Sequence, residues 1–454
     1  MKDFKSLYFI GAGGIGMSSL IRYFLFKGYK VGGYDRSSSE LTSKLIEEGA
    51  DIHFEDNVEL IGKEFLDPKN TLVVLTPAIP SDNKELNWFK NNGFEILKRA
   101  QLLGLITKSS KGLCVAGTHG KTTTSSMLAH LLKQSDVDCN AFLGGILKNY
   151  QTNLLTSDNS DFTVIEADEY DRSFHQLHPY MSIITSSDPD HLDIYGDEEA
   201  YLESFNHYTS LIQDGGVLII KKGIKVAPRL QNNVKLYTYS ESDGDFHASD
   251  IRIGNGTIIF NFNGPGIEIK DIELGVPLRI NIENGVAAIA VAYLNGVKED
   301  DIRKAMKSFK GAKRRFDFYL KTDKIVLIDD YAHHPDEIRA SIKSVKQLYP
   351  EKRLEVIFQP HLYSRTRDFY KEFAKSLSLA DSVILLEIYP ARELPIEGVT
   401  SEIIFNELTC KEKTLCKKAD LLDIIKKRDS EVVMTIGAGD IDKMILPIKE
   451  ILEK

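Results

Sequence analysis

The chain has 454 residues, 42% hydrophobic and 27% charged, with a formal net charge of −9 and four cysteines. This length predicts about three domains, and the acidic balance gives no support to binding of nucleic acid or an anionic membrane. No apolar run approaches the roughly 20 residues of a membrane span, and the cysteines fit neither a disulfide framework nor a zinc site. We therefore expect a cytoplasmic globular protein, monomeric or homodimeric, that neither binds nucleic acid nor inserts into a membrane.

The first part of the chain alternates between strands and helices, the pattern of a doubly wound α/β domain. Apolar runs predict strands at residues 7–10, 29–34 and 72–75, and a helix at 17–26. After the first strand, Gly11, Gly13 and Gly16 match Gly-x-Gly-x-x-Gly, and Asp35 ends the second strand. This Rossmann fingerprint indicates a site for a nucleotide diphosphate, without specifying NAD. The alternative is a tight turn that binds nothing, with Asp35 as an ordinary turn residue.

A second α/β unit begins with the sequence KGLCVAGTHGKTTTSSMLAHLLK at 111–133, after a polar connection predicted at 105–111. An apolar strand leads into a glycine-bounded turn and then a helix, an arrangement that surrounds an anion with backbone N–H groups. Lys121 adds a charge, and Thr122 adds a hydroxyl suited to Mg²⁺. The full Walker pattern has glycine five residues before Gly120, where this chain has Val115. We predict a phosphate-binding loop; the alternative is a turn with a solvated lysine.

Carboxylates and a histidine follow two further strands of this unit. The predicted strand at 162–165 leads to Glu166, and the strand at 181–185 leads to a loop that ends at His191. Carboxyl ends of parallel strands face one crevice, and hard oxygen ligands are those that Mg²⁺ needs. We therefore expect Glu166 to bind Mg²⁺ rather than to be an exposed acid. For His191, a metal ligand and a hydrogen-bonded loop residue both remain open.

The rest of the chain predicts a β-rich flank and a third α/β unit. A helix at 197–212 and a strand at 216–220 precede a β-rich, antiparallel segment at 225–275, helices at 279–293 and 297–309, strands at 325–328, 354–358, 382–386 and 432–436, and a helix at 336–348. Loops at 329–335 and 359–367 are rich in histidine and arginine and suit a carboxylate-bearing polyanion. Arg314 and Arg315 are either a solvated linker or a phosphate contact.

The predicted fold is α/β with three domains. Residues 1–107 are expected to form a Rossmann-like domain with the nucleotide-diphosphate turn, residues 108–312 a central P-loop ATPase-like domain with a flanking β-sheet, and residues 313–454 a C-terminal Rossmann-like domain. This combination resembles the Mur ligase family of peptidoglycan synthesis over essentially the whole chain. The motifs that carry the resemblance are FIGAGGIGM (9–17), GTHGKTTT (117–124), EADEYDRSF (166–174), DHLDIYGD (190–197), KRRFD (313–317), DDYAHHPDEI (329–338), FQPHLYSRTRDF (358–369) and GAGDI (437–441).

The resemblance implies amide synthesis driven by ATP and Mg²⁺. Within the family, the first motif and the SRTRD and GAGD segments look most like members that add L-alanine to UDP-N-acetylmuramate. In that reaction the lactyl carboxylate takes the γ-phosphate, and the amino group of L-alanine then attacks the acyl phosphate. The alternatives are a ligase that recycles murein tripeptide, an NAD-dependent oxidoreductase, which leaves Lys121 and Glu166 without a role, and a non-catalytic nucleotide-binding scaffold.

The resemblance also implies a role for each matching residue. The expected ATP ligands are Gly117, Thr118, His119, Gly120, Lys121, Thr122, Thr123, Asn281, Asn284, Arg315, Asp330 and Tyr331. The expected ligands of the UDP-substrate are Gly11, Gly13, Gly14, Ile15, Gly16, Asp35 and Thr76. One Mg²⁺ is expected on Thr122 and Glu166, and a second Mg²⁺, which bridges the γ-phosphate and the substrate carboxylate, is expected on His191. The expected catalytic residues are Lys121, His191, His333 and Arg365, the last two at a carboxylate of the substrate or of L-alanine.

Three positions depart from the family pattern. Several Mur ligases bind Mg²⁺ through a carbamylated lysine, but this chain has no lysine between Lys148 and Lys221; Glu203 is a candidate substitute. Leu362 lies where close relatives often have arginine, which affects how the alanine carboxylate is held. Ile280 replaces a frequent histidine, so the adenine contact is expected to differ.

Overall fold

The computed structural model describes residues 4–76, 79–190, 192–254, 256–391 and 393–453. The chain divides into two compact units, of which the first comprises Met1–Ser249, Asn261–Lys270 and Glu283–Met306, and the second Asp250–Phe260, Asp271–Ile282 and Lys307–Lys454. The predicted domains 1–107 and 108–312 thus lie mostly in the first unit, and the predicted domain 313–454 lies in the second.

The first unit begins with a five-stranded sheet. Its elements are β1 (Ser6–Ile10), α1 (Ile15–Phe26), β2 (Lys30–Tyr34), α2 (Glu40–Glu47), β3 (Asp51–His53), 3₁₀ turns at Val58–Leu60 and Lys63–Phe65, β4 (Thr71–Leu75), α3 (Lys84–Asn91), β5 (Glu95–Lys98) and α4 (Arg99–Lys108). The strand order is β3-β2-β1-β4-β5, and every pairing is parallel. The predicted Rossmann-like sheet is confirmed, and the segments that follow β1, β2 and β5 meet at one edge.

Side chains of β1 alternate between two cores, as strand geometry requires. Leu7 and Phe9 pack in a cluster on one face, while Tyr8 and Ile10 pack with Phe65 on the other. Among the described residues, no helix has the length and apolar character that a membrane crossing needs.

The same unit contains a seven-stranded sheet. Its elements are β6 (Lys111–Ala116), α5 (Lys121–Lys133), β7 (Asn140–Leu147), β8 (Thr152–Leu155), β9 (Phe162–Ala167), a 3₁₀ segment at Tyr170–Gln176, β10 (Pro179–Ile184), α6 (Leu192–Tyr195), α7 (Glu198–Thr209), β11 (Val217–Lys221) and β12 (Lys235–Tyr239). The order is β12-β11-β10-β6-β9-β7-β8. Because β6 lies between β10 and β9 and is parallel to both, the segments after these three strands are neighbours. The connection predicted at 105–111 is wrong in extent, since buried Ile106 and Thr107 continue α4.

A separate three-stranded sheet follows along the chain, within the β-rich segment predicted at 225–275. It consists of β13 (His247–Gly254), β14 (Thr257–Gly264) and β15 (Ile267–Glu273) in that order, and α8 (Ile280–Leu294) and α9 (Glu299–Ser308) follow it. Residues of this sheet are divided between the two units. Alternate residues of β14 are buried, including Ile258, Phe260 and Phe262, so one face of the sheet covers a core.

The second unit contains a six-stranded sheet. Its elements are β16 (Asp317–Lys321), β17 (Val326–Asp330), α10 (Pro335–Leu348), β18 (Leu354–Phe358), α11 (Tyr363–Leu377), β19 (Ser382–Leu385), α12 (Glu402–Glu407), β20 (Glu412–Leu415), 3₁₀ turns at Lys418–Asp420 and Asp440–Met444, α13 (Leu421–Ile425), β21 (Val432–Ile436) and α14 (Ile445–Leu452). The order is β16-β17-β21-β18-β19-β20, with only the β16–β17 pairing antiparallel among those described.

The loop predicted at 359–367 is shorter than expected, because α11 already begins at Tyr363. Arg365 is therefore a helical residue. The helix has no side-chain cap on Leu362, its preceding residue. Instead, the distant carboxylate of Glu393 accepts the Ser364 N–H at 2.9 Å, and such a cap leaves no local sequence signal.

Candidate functional site

The phosphate loop lies between β6 and α5. Gly117 and Gly120 have φ values of +131° and +85°, and a Cβ on Gly117 would lie 2.2 Å from Thr185 Oγ1. Only glycine fits such a position without strain. Because α5 begins at Lys121, the N–H groups of its first turn have no helical partner and are available to an anion. The glycines and the start of α5 therefore place N–H donors where an anion could bind.

Side chains after β10 hold this loop from outside. Ser186 Oγ accepts the His119 N–H at 2.7 Å, and Thr185 Oγ1 donates to the His119 carbonyl. Thr118 Oγ1 donates to the Asp188 carbonyl at 2.7 Å. The polar groups of Thr118 and His119, both predicted nucleotide ligands, thus stabilise the loop itself.

Lys121 lies at the mouth of the loop and forms an ion pair with Glu169. Its Nζ is 2.7 Å and 2.9 Å from the two Glu169 oxygens and donates to the Gly117 carbonyl at 2.6 Å. Burial raises the pKa of Glu169, and the Lys121 charge opposes this shift. Tyr195 OH donates to the Glu169 carbonyl and fixes its backbone. The sequence pattern did not single out Glu169; the available signal was its position in the same carboxylate-rich run as Glu166.

Glu166, at the end of β9, faces the start of α5. Its Oε1 accepts the Gly144 N–H at 2.8 Å, and its Oε2 accepts from Thr122 Oγ1 at 3.2 Å. A Cβ on Gly144 would lie 2.6 Å from Oε2, so glycine is needed for this close approach. Burial raises the pKa of Glu166, and a bound cation would offset that cost. Adjacent octahedral ligands of Mg²⁺ lie about 3 Å apart, and the Thr122 and Glu166 oxygens fit that spacing.

The third predicted metal ligand, His191, lies outside the described residues. Asp188 and Asp190, in the same segment, are exposed. Within the part of the chain that the structure describes, no group of three or more His, Cys, Asp or Glu residues is placed to hold a metal ion. The described part of the predicted magnesium site is therefore the Thr122–Glu166 pair.

The two asparagines predicted near the nucleotide lie in different surroundings. Asn284 is buried beside the phosphate loop, where its Oδ1 accepts from Thr124 Oγ1 at 3.2 Å. A Cβ on Gly120 would lie 3.0 Å from the same atom. Asn281 belongs to the second unit, and its Nδ2 donates to the Val276 carbonyl at 3.0 Å.

The first glycine turn, between β1 and α1, is organised by Asp35 and Thr76. The Gly13 N–H donates to Asp35 Oδ2 at 2.6 Å. Gly11 has a φ of +90°, and a Cβ there would lie 2.4 Å from Thr76 Cγ2. Gly14 precedes α1 without a side-chain cap, and Ile15 begins the helix. The structure thus brings the predicted residues together, and it places the Asp35 carboxylate on the turn itself.

A cation that the sequence pattern did not single out lies against this turn. Arg99 is the first residue of α4, and a Cβ on Gly16 would lie 2.5 Å from its Nη1. Its Nη2 donates to Asp168 Oδ2 at 3.1 Å. The only local signal was a basic pair, Lys98 and Arg99, at a strand-to-helix junction.

In the second unit, the linker arginines lie over Tyr331. The guanidinium carbon of Arg314 is 4.9 Å from the ring centroid, and that of Arg315 is 5.9 Å from it. Arg314 also donates to the Gly437 carbonyl at 2.6 Å. Asp330, at the end of β17, accepts from Ser341 Oγ and from the Phe316 N–H. Burial raises the pKa of Asp330.

His333 and Arg365 lie in the same unit. Burial lowers the pKa of His333, and the Arg365 charge lowers it further, although Glu337 opposes both. The Glu337 carboxylate accepts the His333 backbone N–H at 3.0 Å, and His333 Nδ1 is 3.1 Å from the Tyr331 carbonyl. An imidazole and a guanidinium are both groups that can donate hydrogen bonds to a carboxylate.

The three departures from the family pattern have these surroundings. Glu203 is bound by Arg229 through two hydrogen bonds of 2.6 and 2.7 Å at an exposed position. Leu362 is buried and has a φ of +73°. Ile280, at the start of α8, is 53% exposed. Both oxygens of Glu203, the candidate substitute for the carbamylated lysine, therefore accept hydrogen bonds from Arg229.

Comparison with protein-family models gives three consecutive matches. Their descriptions are Mur ligase family, catalytic domain, for residues 6–111; Mur ligase middle domain, for residues 115–292; and Mur ligase, glutamate ligase domain, for residues 314–439.

Similar proteins match over nearly their whole length. The UDP-N-acetylmuramate–L-alanine ligase of Parabacteroides distasonis is 66% identical over 450 residues, which are 99% of this chain and 97% of the relative. The protein of the same name from Porphyromonas gingivalis is 56% identical over 452 residues, 99% of each chain. The crystal structure of UDP-N-acetylmuramate-alanine ligase from Thermotoga maritima superimposes with a TM-score of 0.80 at 27% identity and covers 99% of both chains. A murein peptide ligase from Psychrobacter arcticus has a TM-score of 0.61 at 22% identity over 99% and 98% of the two chains, a likeness of fold alone.

Proposed function

The chain belongs to the Mur ligase family, and we propose that it joins L-alanine to the lactyl carboxylate of UDP-N-acetylmuramate with hydrolysis of ATP to ADP and phosphate. Relatives that carry this name align with 99% of the chain at 56% and 66% identity. The reaction makes a peptidoglycan precursor. We further propose that the enzyme works in the cytoplasm on small-molecule substrates, as a monomer or a homodimer.

The observation that carries this proposal is the phosphate loop with its surrounding charges. A carboxylate is a poor acylating agent, so phosphorylation must supply a leaving group. The triphosphate and the substrate carboxylate are both anions, and cations must neutralise them where they meet. Lys121, the N-terminus of α5 and the paired oxygens of Thr122 and Glu166 provide a cation, N–H donors and ligands for a divalent cation.

Each group of the first unit then has a task. Lys121 exchanges Glu169 for the β- and γ-phosphates of ATP. Thr122 and Glu166 would hold one Mg²⁺ and His191 a second, and these ions would neutralise the charge of the two anions. Asn284 supports the loop from the start of α8.

Residues of the second unit complete the assignment. Arg315, Asp330, Tyr331 and Asn281 are assigned to the nucleotide, since a guanidinium over an aromatic ring suits a phosphate and a base. His333 and Arg365 are assigned to the carboxylate of the substrate or of L-alanine. The lactyl carboxylate attacks the γ-phosphorus and ADP leaves; the alanine nitrogen then attacks the acyl carbon, loses a proton, and phosphate leaves with the original C–O bond electrons.

Phosphate release with purified substrates tests the proposal. We expect release only when UDP-N-acetylmuramate, L-alanine, ATP and Mg²⁺ are all present, and a product whose mass equals the two substrates less water. Equal release with murein tripeptide but none with L-alanine would assign the protein to peptide recycling instead. Tight NADH binding without ATP binding would favour an oxidoreductase, and ATP binding without turnover would favour a scaffold.

A further inference from the structure

Arg99 reaches the first glycine turn because of the sheet order. Since β5 lies two strands from β1 in a parallel sheet, the residue that follows β5 lies at the same edge as the turn that follows β1. Gln101 Oε1 accepts the Lys98 N–H at 2.8 Å and fixes the start of α4. A Cβ on Gly16 would lie 2.5 Å from Arg99 Nη1, 3.2 Å from Cζ and 3.3 Å from Cδ. The guanidinium therefore lies across the backbone of Gly16, and the third glycine of the motif makes room for it.

The charges around this guanidinium favour an anionic ligand. Gly16 is in the first turn of α1, which contains no acidic residue, and a helix N-terminus carries a positive partial charge. A cation placed there is repelled unless an anion balances it. The Arg99 guanidinium is paired with the carboxylate of Asp168, and the Asp35 carboxylate accepts the Gly13 N–H of the same turn. A diphosphate held by the turn would attract both the helix terminus and Arg99.

The ion pair between Arg99 and Asp168 is weak enough for a diphosphate to replace it. The Arg99 and Asp168 side chains are 25% and 38% exposed, and pairs with such exposure contribute little to stability. Asp168 Oδ1 also accepts the Tyr170 N–H at 3.1 Å. The carboxylate therefore keeps a partner in its own loop when the guanidinium moves away.

We propose that Arg99 binds the diphosphate of the UDP-substrate, and that this diphosphate displaces Asp168 from Arg99. The assignment rests on the proposed function. It adds a diphosphate-binding residue that neither the glycine motif nor the family resemblance predicted. It gives the first turn a cation that its own sequence lacks.

Isothermal titration of the full-length protein with UDP-N-acetylmuramate, and with UDP, tests the assignment. Arg99→Gln should weaken both ligands by about 10- to 100-fold, because charged hydrogen bonds to phosphate are lost. Lys98→Gln is the matched control, since Lys98 is the adjacent cation and pairs with Asp171 at 3.1 Å; its affinities should stay within twofold of wild type. ATP affinity and the melting temperature should be unchanged in both variants, which excludes misfolding.

Asp168→Asn distinguishes two roles of Arg99, which are binding of the diphosphate and a purely structural ion pair with Asp168. If Asp168 competes with the diphosphate, this variant should bind UDP-N-acetylmuramate as well as wild type or up to about fivefold more tightly. A loss of affinity in Asp168→Asn, or wild-type affinity in Arg99→Gln, would overturn the assignment. A wild-type protein that fails to bind UDP-N-acetylmuramate would overturn the proposed function itself.

Discussion

The two glycine turns of the first unit differ in where the basic residue beside each turn lies in the sequence. In the phosphate loop the cation is the next residue, Lys121, and its counter-ion is Glu169. At the first turn the cation is Arg99, from a helix far along the chain, and its counter-ion is Asp168. Two consecutive carboxylates thus balance the cations of both turns. A single short segment is therefore in contact with both proposed nucleotide sites.

The turns also differ in how their backbone is held. In the phosphate loop, the hydroxyl of Ser186, which follows β10, accepts the His119 N–H. In the first turn, the carboxylate of Asp35, which follows β2, accepts the Gly13 N–H. In the first turn, the N–H groups of Gly11 and Ala12 also donate to the Tyr34 carbonyl. Each turn therefore uses part of its N–H donors to maintain its shape, and the nearby cation adds to the donors that are left for phosphate.

Removal of Lys121 should have the largest effect and should be confined to one turn. We expect Lys121→Ala to reduce turnover by at least about 10²- to 10³-fold, because it removes the cation at the transferred phosphate. UDP-N-acetylmuramate affinity should stay within twofold, since the first turn has its own cation. Coupled phosphate-release assays and titration calorimetry measure the two effects. Lys133→Ala, at the other end of α5, is the control, and loss of both nucleotide affinities in Lys121→Ala would show that the turns are not independent.

Adding a methyl group to a glycine of each turn should change the free energy of unfolding by different amounts. Gly117→Ala places a Cβ 2.2 Å from Thr185 Oγ1 and 2.8 Å from the Ser186 nitrogen at a φ of +131°, so we expect a loss of about 2–5 kcal/mol. Gly14→Ala is the matched control, because its φ is −70° and its nearest contact would be 3.8 Å away. It should change the free energy of unfolding by less than about 1 kcal/mol. Urea unfolding measures both; equal losses would mean that the space around Gly117 adjusts.

What the sequence predicted correctly depends on local patterns. The strands before both turns, the glycines and Lys121 follow from apolar runs and residue spacing within about 20 residues. The small sheet of β13, β14 and β15 and the order of the three α/β segments were also predictable, because each element has its own periodicity.

What the sequence did not predict depends on contacts between distant segments. Arg99 and Glu169 acquire their positions from sheet order and from a buried ion pair, neither of which leaves a local pattern. The loop at 359–367 was predicted too long for the same reason, because Glu393 caps the start of α11 from another loop. Asp35 was expected to bind the UDP-substrate, and only the structure shows that its carboxylate accepts the Gly13 N–H.

Removal of the Glu169 charge should have a smaller effect, and its sign tests the parallel between the turns. The Glu169 carboxylate contacts Lys121 through both oxygens and would compete with phosphate for the same ammonium. Glu169→Gln keeps the size and one acceptor but removes the charge, so we expect ATP to bind about 3- to 10-fold more tightly, a difference of about 0.7–1.4 kcal/mol. Calorimetric titration with ATP measures it. Glu203→Gln, which neutralises an exposed carboxylate paired with Arg229, should leave ATP affinity unchanged. Weaker ATP binding in Glu169→Gln would mean that Glu169 positions Lys121 instead of competing for it, and the two counter-ions would then differ in role.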